Sequence, residues 1–573
     1  AVLRKSRRLG EDAPDSDVWK VLATSTLDGI TVTPLGTAQL VADLPDPGLP
    51  GQAPFTRGST ASRDLEGWDV RAWFADPDVE RTRQDVITDL ENGVNSLWIT
   101  VGSGGVPIES LSTVLEAVFL DLAPVALDAP YEPVEAARAL AAIFADRAIT
   151  PAPGTSFGVD PIGAGFRDRG NTDSSMIEEV ARIAAPLGIR ALTVDATAVH
   201  DAGASDAQEL AYSLAAGTEY LRVLVEAGFT VDEAAALIDF RYAATGEQFP
   251  TIAKFRAARR LWNRVVELSG GAATGQLQHA VTSRPMMAKY DPYVNMLRTT
   301  VAAFAAGVGG AASVTVLPFD ERLGLPDAFS RRIARNTSSL LISESHVAEV
   351  SDPAGGSYAV EKLTDDTARA AWALFGEIDA AGGLDVLEEA IAATVSQRAL
   401  AIAKRKQPIT GVSEFPNLHE TLPERRPYAE ELAVHRYGGE FEAMRDDRAA
   451  TPVFLATMGT VAAYTARATF AANLFAAGGV DTVTAGPTEG VDEIVAAYTA
   501  LVSDGAGNVP VVCLTGNAAA YDGWGADLVT ALRAAGAKYV VVAGKSDLEV
   551  DATAAVGDDA LAFLRSIRQE LRA

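Results

Sequence analysis

The sequence predicts an α/β protein in which a (β/α)8 barrel, or TIM barrel, precedes a smaller flavodoxin-like domain. Two alternations predict this order. From about residue 80, eight short apolar runs alternate with amphipathic stretches of helical period, which is the pattern of a (β/α)8 barrel. From residue 451 onward, four further apolar runs alternate with helical stretches, as in a flavodoxin-like sheet. An open doubly wound sheet of similar size is the alternative to the barrel.

Residues 1–75 lack this alternation, and the sequence predicts an extended N-terminal arm there. The stretch "LPDPGLPGQAPFTRG" (44–58) is dense in Pro and Gly, which favours an irregular chain laid over another surface. Such an arm suits an element that embraces a partner, and it equally suits one that packs on its own barrel.

Residues 76–420 contain the predicted barrel. A helical stripe in "IAKFRAARRLWNRVV" comprises Ile252, Phe255, Leu261, Trp262, Val265 and Val266. The eight strand candidates are "NSLWITVG", "APVALDA", "TSFGVD", "RALTVDA", "LIDFRYAA", "QLQHAVTS", "ASVTVLPF" and "SHVAEVSD". The helix candidates between them include "SLSTVLEAVFLDL", "EPVEAARALAAIFADR", "SSMIEEVARIAAPLG" and "PYVNMLRTTVAAFAAGVGG".

Residues 421–450 are charged and have no sustained strand pattern, so they are interpreted as a linker or helical connector. Residues 451–573 form the second predicted domain. Its strand candidates are "PVFLATM", "DTVTAG", "VPVVCLTG" and "KYVVVAG".

Composition excludes several classes of function. The formal net charge is −28 and the pI is about 4.6, which argues against a nucleic-acid or anionic-membrane partner because both are polyanions. No apolar run approaches the ~20 residues that span a bilayer, and the basic N-terminus lacks the apolar stretch of a secretory signal. The single cysteine, Cys513, lies in an apolar run and is interpreted as core packing, which fits a reducing cytoplasmic compartment.

The loop predicted after the strand Val453–Thr457 lacks side chains that bind ligands. In parallel α/β sheets ligands are held at the carboxyl ends of the strands. Yet "MGTVAAYTARAT" contains no His, Asp, Glu or Lys, and the last of the five histidines is His435. The C-terminal domain therefore cannot offer an imidazole to a metal, and we expect no metal site.

Several strings resemble methylmalonyl-CoA mutase, a member of the acyl-CoA mutases that use adenosylcobalamin, and the resemblance covers nearly the whole chain from about residue 20. The strings are "APFTRG" (53–58), "FRAARRLW" (255–262), "DPYVNMLRTTVAAFAAGVGGA" (291–311), "FSRRIARNT" (329–337), "DPAGGSYAVEKLT" (352–364) and "GVSEFPN" (411–417). The order of a barrel and then a flavodoxin-like domain is also that of these enzymes.

The resemblance implies that a cobalamin motif has been lost. The catalytic members carry Asp-x-His-x-x-Gly after Met-Gly, in which the His ligates cobalt and the Asp bonds its other ring nitrogen. Aligned on "MGTVAAYTAR", these positions hold Val461, Ala463 and Ala466. Because a methyl group cannot ligate cobalt, we expect this chain to bind no cofactor.

The resemblance implies a similar loss in the barrel. Where the family has a Tyr-rich run that grips coenzyme A, this chain has "STASRDLEGW", which begins Ser59, Thr60, Ala61, Ser62. The Tyr beside the family's substrate, two positions after an Arg, corresponds to Trp73 after Arg71. An indole does not supply the phenol hydroxyl.

Two polar remnants of that site remain. His279 in "LQHAVTSRP" is either a surviving general acid or a hydrogen-bonded structural histidine. Arg241 in "DFRYAAT" corresponds either to a substrate-carboxylate arginine or to a member of a structural ion pair. Arg335 and Asn336 of "IARNT" are not assigned a catalytic role.

A chain with this fold and without either site resembles the small subunit of a heterodimeric methylmalonyl-CoA mutase. The resemblance implies a catalytic large subunit that holds adenosylcobalamin and interconverts (R)-methylmalonyl-CoA and succinyl-CoA by radical rearrangement. This chain would then be a non-catalytic support, with a barrel axis filled by side chains. The alternatives are an independent barrel enzyme that uses His279 and Arg241 on an acyl-CoA or carboxylate, and a docking partner of another protein.

Overall fold

The computed structural model of the protein describes residues 2–61, 67–503 and 509–572. The chain divides into two compact units. The first comprises Ala1–Met286, Asn295–Val395 and Glu424–His435, and the second comprises Met287–Val294, Ser396–Pro423 and Arg436–Ala573. Residues 424–435, which lie in the predicted connector, thus belong to the first unit.

The N-terminal segment packs on the barrel of its own chain. It contains the helices α1 (Val2–Lys5) and α2 (Val18–Leu22) and an antiparallel pair, β1 (Thr24–Ser25) and β2 (Thr31–Val32). In the turn of that pair, the Asp28 carboxylate accepts hydrogen bonds from the Ser205 hydroxyl and the Ala207 amide. The Arg259 guanidinium donates to the carbonyl oxygens of Phe55 and Thr56, at 3.0 and 2.9 Å.

Within the described residues, eight parallel strands close into a barrel, which confirms the predicted barrel class. They follow one another in chain order around the wall, and the last pairs with the first. The strands are β3 (Asp69–Phe74), β4 (Ser96–Thr100), β5 (Val125–Asp128), β6 (Ser156–Val159), β7 (Arg190–Asp195), β8 (Ile238–Ala244), β9 (Gln278–Thr282) and β10 (Ser313–Thr315).

The predicted set of barrel strands was wrong at one position. "SHVAEVSD" (345–352) is not a strand, because His346 and Asp352 have φ angles of 54° and 49°, which interrupt an extended backbone. The missing strand is β3, inside the segment predicted to be an arm. Buried parallel strands are usually continuous apolar runs, and Arg71 interrupts the run in "DVRAWF".

Helices lie between the barrel strands and follow the last of them. The apolar stripe predicted in "IAKFRAARRLWNRVV" is confirmed, since all six of its residues are buried in the helix Gln248–Leu268. The candidate "SLSTVLEAVFLDL" was largely wrong, because only Leu111–Val114 is helical there. The helices are α3 (Val79–Leu90), α4 (Leu111–Val114), α5 (Pro133–Arg147), α6 (Pro161–Phe166), α7 (Ser175–Ala184), α8 (Thr197–Asp201), α9 (Asp206–Glu226), α10 (Val231–Ala236), α11 (Gln248–Leu268), α12 (Asn295–Gly309), α13 (Ala328–Ser339), α14 (Tyr358–Ala381) and α15 (Asp385–Ala403).

The second unit is built on a parallel sheet of five strands among its described residues, in the order β12-β11-β13-β14-β15. The four predicted strands are present, and β15 was missed. Cys513 is fully buried in the central strand, and burial raises the pKa of its thiol. The elements are α16 (Gly439–Asp446), β11 (Val453–Thr457), α17 (Val461–Ala477), β12 (Thr482–Thr484), α18 (Val491–Ser503), β13 (Val511–Thr515), α19 (Ala518–Ala534), β14 (Tyr539–Ala543), β15 (Ala552–Ala554) and α20 (Ala560–Arg572).

No helix in the described part of the chain is long and apolar enough to cross a membrane.

Candidate functional site

The interior of the barrel is filled by side chains from opposite walls. Trp73 on β3 and Trp98 on β4 stack with ring centroids 5.5 Å apart. Arg241 on β8, four strands from β4 in the closed order, places its guanidinium carbon 4.2 Å from the centre of the Trp98 ring. A contact between strands on opposite sides passes through the barrel axis. The axis is therefore packed at this level, as expected for a barrel without a threaded ligand.

A third ring extends this stack toward the barrel mouth. Tyr428 stacks on Trp73 with ring centroids 5.5 Å apart. Tyr428 belongs to residues 424–435, which we call the cap segment. The order Trp98, Trp73, Tyr428 makes a continuous aromatic column from the interior to this segment.

The cap segment lies across the carboxyl ends of the barrel strands. Arg425 pairs with Asp320, which follows β10, at 2.5 Å, and Arg426 pairs with Asp76, which follows β3. On the other side, Glu430 accepts a hydrogen bond from the hydroxyl of Tyr131, which follows β5, at 2.5 Å. The backbone amide of His435 donates to the carbonyl of Asp201, after β7, at 2.7 Å.

TIM-barrel active sites lie at this face. Here the chain covers the face with its own cap segment. The only sequence signal for this cover is the "RRPY" string, in which two arginines and an aromatic residue flank a proline within a charged region.

The charge of Arg241 is compensated inside the barrel. Its Nη1 lies 3.1 Å from Oδ2 of Asp195, and Asp195 also approaches Arg167 at 3.4 Å. Burial disfavours ionisation of Asp195, but Arg241 and Arg167 outweigh burial and lower its pKa. A buried arginine paired in this way is a structural ion pair rather than an open receptor for a substrate carboxylate.

Both ring nitrogens of His279 are used by neighbouring side chains. Nε of Arg241 donates to Nδ1 at 3.2 Å, so Nε2 bears the proton and donates to Oγ1 of Thr315 at 2.8 Å. Burial and the charges of Arg71 and Arg241 hold the pKa of His279 well below its ordinary value. A neutral imidazole fixed on both sides favours the structural interpretation of His279.

The indole of Trp73 is also engaged in hydrogen bonding. Its Nε1 donates to Oγ1 of Thr100 at 3.0 Å, and Thr100 donates to Oδ2 of Asp128 at 3.2 Å. At the amino ends of the strands, the Ser59 hydroxyl donates to the carbonyl of Gln276, which precedes β9, at 2.7 Å. Ser62 and the rest of residues 62–66 lie outside the described residues.

Sequence reasoning missed a second buried histidine network. Nε2 of His200 lies 2.7 Å from the Ser283 hydroxyl, and Nδ1 lies 3.4 Å from Oε2 of Glu209. The order Ser, His, Glu resembles a hydrolase triad. However, Nζ of Lys254 lies 2.6 Å from the Glu209 carboxylate and forms an ion pair with it. The side chains of His200, Ser283, Glu209 and Lys254 are all buried. The network therefore connects α9 and α11 to the barrel. No motif connects these residues in the sequence.

At the carboxyl edge of the second unit's sheet, side chains occupy the crevice between β11 and β13, where the strand order reverses. Met458 is fully buried there, and a Cβ added at Gly516 would lie 2.9 Å from the Met458 Cβ. The Tyr521 hydroxyl, which has one hydrogen to donate, lies 3.0 Å from the carbonyl oxygen of Leu514 and 2.9 Å from that of Ala543. The Arg467 guanidinium covers the Tyr521 ring at 4.6 Å. In doubly wound sheets a ligand lies in this crevice.

The loop after β11 is short at this edge. Residues 458–460 alone connect the strand to α17, which begins at Val461. Val461, Ala463 and Ala466 therefore lie in the first two turns of a helix, and Val461 is 55% exposed. The string "MGTVAAYTARAT" is therefore a loop only over residues 458–460, and the helix that the alanine-rich "AYTARATFAANLFAAGG" predicts is present from Val461 onward.

Comparison of the sequence with known proteins identifies a family. A family model described as methylmalonyl-CoA mutase matches residues 181–502. The small subunit of methylmalonyl-CoA mutase from Streptomyces virginiae is 48% identical over 99% of this chain and 94% of its own length.

The chain belongs to the methylmalonyl-CoA mutase family.

Two further relatives bear similar names. A probable small subunit of methylmalonyl-CoA mutase from Mycobacterium bovis is 43% identical, over 95% of this chain and 90% of its own length. The small subunit of methylmalonyl-CoA mutase from Propionibacterium freudenreichii subsp. shermanii is 38% identical, over 95% of this chain and 87% of its own length.

For a member of the methylmalonyl-CoA mutase family, the residues of this sheet edge do not fit adenosylcobalamin. Met458 occupies the crevice, Tyr521 and Arg467 cover the ends of β13 and β14, and the side chains at 461, 463 and 466 have no atom that can ligate cobalt. In the described ranges, no group of three His, Cys, Asp or Glu residues is arranged to hold a metal ion.

Proposed function

We propose that this chain is the non-catalytic small subunit of a heterodimeric methylmalonyl-CoA mutase. Its partner is the large subunit, which binds adenosylcobalamin and interconverts (R)-methylmalonyl-CoA and succinyl-CoA. The chain itself binds no cofactor and supports its partner structurally. Its single buried cysteine suits a cytoplasmic location.

The observation that carries this proposal is the aromatic column of Trp98, Trp73 and Tyr428. These rings and the cap segment occupy the barrel interior and its carboxyl-end face, which is where the active site of a TIM-barrel enzyme lies. The two polar remnants, His279 and Arg241, are bonded to each other at 3.2 Å. These contacts disfavour the alternative of an independent barrel enzyme.

The second unit supports the same proposal. Its strand order of 2-1-3-4-5 is that of flavodoxin-like sheets. We propose that it is a flavodoxin-like domain of the cobalamin-binding type that has lost its cofactor, because the crevice is filled and the ligand positions hold Val461, Ala463 and Ala466.

The test is co-expression of this chain with the large subunit, followed by measurement of mass and bound cobalamin. We expect a 1:1 complex with one adenosylcobalamin per heterodimer, and no tight complex in a spectral titration of this chain alone. Two cofactors per heterodimer, or a chain that stays apart from the large subunit, would overturn the proposal.

A further inference from the structure

Two neighbouring helices of the barrel expose large apolar side chains along matching stripes. On α12, Leu297 is 70% and Val301 37% exposed, and their spacing of four residues places them on one face. On α13 and the turn that follows it, Phe329 is 44% and Leu340 50% exposed, with Ile333 partly exposed between them. We call these five residues the α12–α13 face.

The two stripes meet at one end. Nδ2 of Asn295, in the first turn of α12, donates to the Phe319 carbonyl at 2.8 Å. The Phe319 ring in turn packs against the Phe329 ring, in the first turn of α13, with centroids 6.0 Å apart. The first turns of both helices therefore adjoin, and their exposed stripes form one surface.

The fold of this chain does not account for that exposure. The opposite side of α12 is already buried through residues such as Ala302, Ala303 and Ala306. On the inner side of α13, Arg335 pairs with Asp89 at 3.0 Å, and Arg331 pairs with the same carboxylate. Contiguous apolar surface that its own chain leaves uncovered marks interaction sites in soluble proteins.

The charge of the face distinguishes a second copy of this chain from a different partner. The helices α12 and α13 contain no Asp or Glu, although the whole chain has a net charge of −28. Of their four arginines, Arg331 and Arg335 turn inward to Asp89 and do not add charge to the face. The exposed Arg332 lies over the Phe329 ring at 5.4 Å, within the apolar stripe. A two-fold contact between copies brings the same patch against itself, so it would place two basic patches, each with an exposed Arg332 and no carboxylate on α12 or α13, against each other.

We propose that the α12–α13 face is the surface on which the large subunit docks. The partner surface is apolar at its centre and carries carboxylates opposite Arg332. This inference rests on the proposed function, because it takes the large subunit as the occupant. Aromatic and arginine side chains commonly dominate the energy of such contacts.

Two substitutions and a control test the surface. Leu297→Asp puts a charge in the apolar stripe, and an acid in the first turn of a helix does not oppose the helix dipole. Arg332→Glu reverses the exposed charge. Leu122→Asp is the control, because Leu122 is 75% exposed in the loop between α4 and β5, outside the face. Circular dichroism and thermal unfolding establish that each variant is folded.

The measurement is the Kd and association rate of each variant with the large subunit. We expect Leu297→Asp to weaken binding about tenfold or more, since interface anchors contribute at least that much. Arg332→Glu should slow association about tenfold at low salt and reduce its salt dependence. Leu122→Asp should bind like the wild type. If Leu297→Asp does not fold, the association rate of Arg332→Glu with the large subunit decides whether the α12–α13 face is the docking surface.

The outcomes separate the inference from the proposed function. If the wild type binds the large subunit and both face variants bind equally well, the docking surface is elsewhere and only this inference falls. If the wild type self-associates and Leu297→Asp abolishes that association, the face belongs to a second copy and the inference is overturned. If the wild type does not bind the large subunit, the proposed function itself fails.

Discussion

Arg241 and Trp98 meet across the barrel, with the guanidinium carbon 4.2 Å from the centre of the indole ring. They come from β8 and β4, on opposite walls. A cation over an indole is worth ~2 kcal/mol or more when desolvated. The barrel interior is thus a packed core in which buried charges are paired with one another.

Removal of Trp98 should cost more stability than removal of an exposed tryptophan. Trp98 is buried between Trp73, Arg241 and His279, so Trp98→Ala leaves a cavity and is expected to lower the free energy of unfolding by about 3–5 kcal/mol. Trp19→Ala, at an exposed position of α2, should change it by less than about 0.5 kcal/mol. Urea unfolding measures both, and equal losses would contradict a packed interior.

Neutralising Asp195 should leave two arginines without their shared carboxylate. Asp195→Asn is expected to destabilise the fold by about 3–5 kcal/mol, because Arg241 and Arg167 remain buried and charged. Adding Arg241→Met to Asp195→Asn removes one of the stranded charges. The double variant should then lose less stability than the two single variants summed. Strictly additive losses in urea unfolding would show that the pair is not coupled.

The local stability of the cap segment should depend on Tyr428. The amides of Leu325 and His435 report on it, since they donate to the carbonyl groups of Arg426 and Asp201. Tyr428→Ala removes the outer ring of the column and is expected to speed hydrogen exchange at these amides about tenfold. Tyr358→Ala, at an exposed site on α14, is the control. Unchanged exchange after Tyr428→Ala would mean that the ion pairs alone hold the segment.

Stability should depend on pH through Asp28. Burial raises the pKa of this carboxyl to about 6 in the folded chain, above its ordinary value of ~4. The folded state therefore binds the proton more tightly, so this contribution is fully present below about pH 4 and is lost as the pH rises through about 6.

Asp28→Asn removes that titration. The decrease in unfolding free energy between pH 5 and pH 7 should be about 1 kcal/mol smaller in the variant than in the wild type. Asp12→Asn, at an exposed position of the same segment, is the matched control. The assignment of the titration to Asp28 is wrong if both variants follow the wild-type profile.

Restoration of the cobalt ligand should not create an enzyme. With Val461→Asp, Ala463→His and Ala466→Gly made together, we expect no detectable mutase activity from the isolated chain. Positioning of reactants contributes ~7–11 kcal/mol to lowering a barrier, and the column of Trp98, Trp73 and Tyr428 occupies the place where the barrel would bind them. The assay supplies adenosylcobalamin and methylmalonyl-CoA without the large subunit. Succinyl-CoA formed at the rate of an ordinary mutase would refute the non-catalytic assignment.

Periodicity predicted most of the architecture but not the first barrel strand. Seven of the eight predicted barrel strands and all four predicted strands of the second unit are present. The strand β3 was missed because Arg71 interrupts its apolar character. Only closure of the barrel shows that Arg71 points inward, where Nε donates to the Ser96 hydroxyl at 2.7 Å.

The sequence is sufficient where the argument concerns the atoms that a side chain lacks. Val461, Ala463 and Ala466 have no ligating atoms in any conformation, so the sequence alone decides what they cannot do. The sequence alone left the roles of His279 and Arg241 open, because the protonation and the hydrogen bonds of an imidazole or a guanidinium depend on the groups around it.

The sequence by itself determined most of the alternation of strands and helices, the balance of charge and the lack of ligating atoms at Val461, Ala463 and Ala466. These are properties of local pattern and residue type, which do not depend on distant contacts. Only the tertiary structure decided that Trp73 and Trp98 fill the axis and that Tyr428 covers them. The alternation of a strand does not say which set of side chains points inward, and the partners of Trp73 come from β4 and from a segment far along the chain.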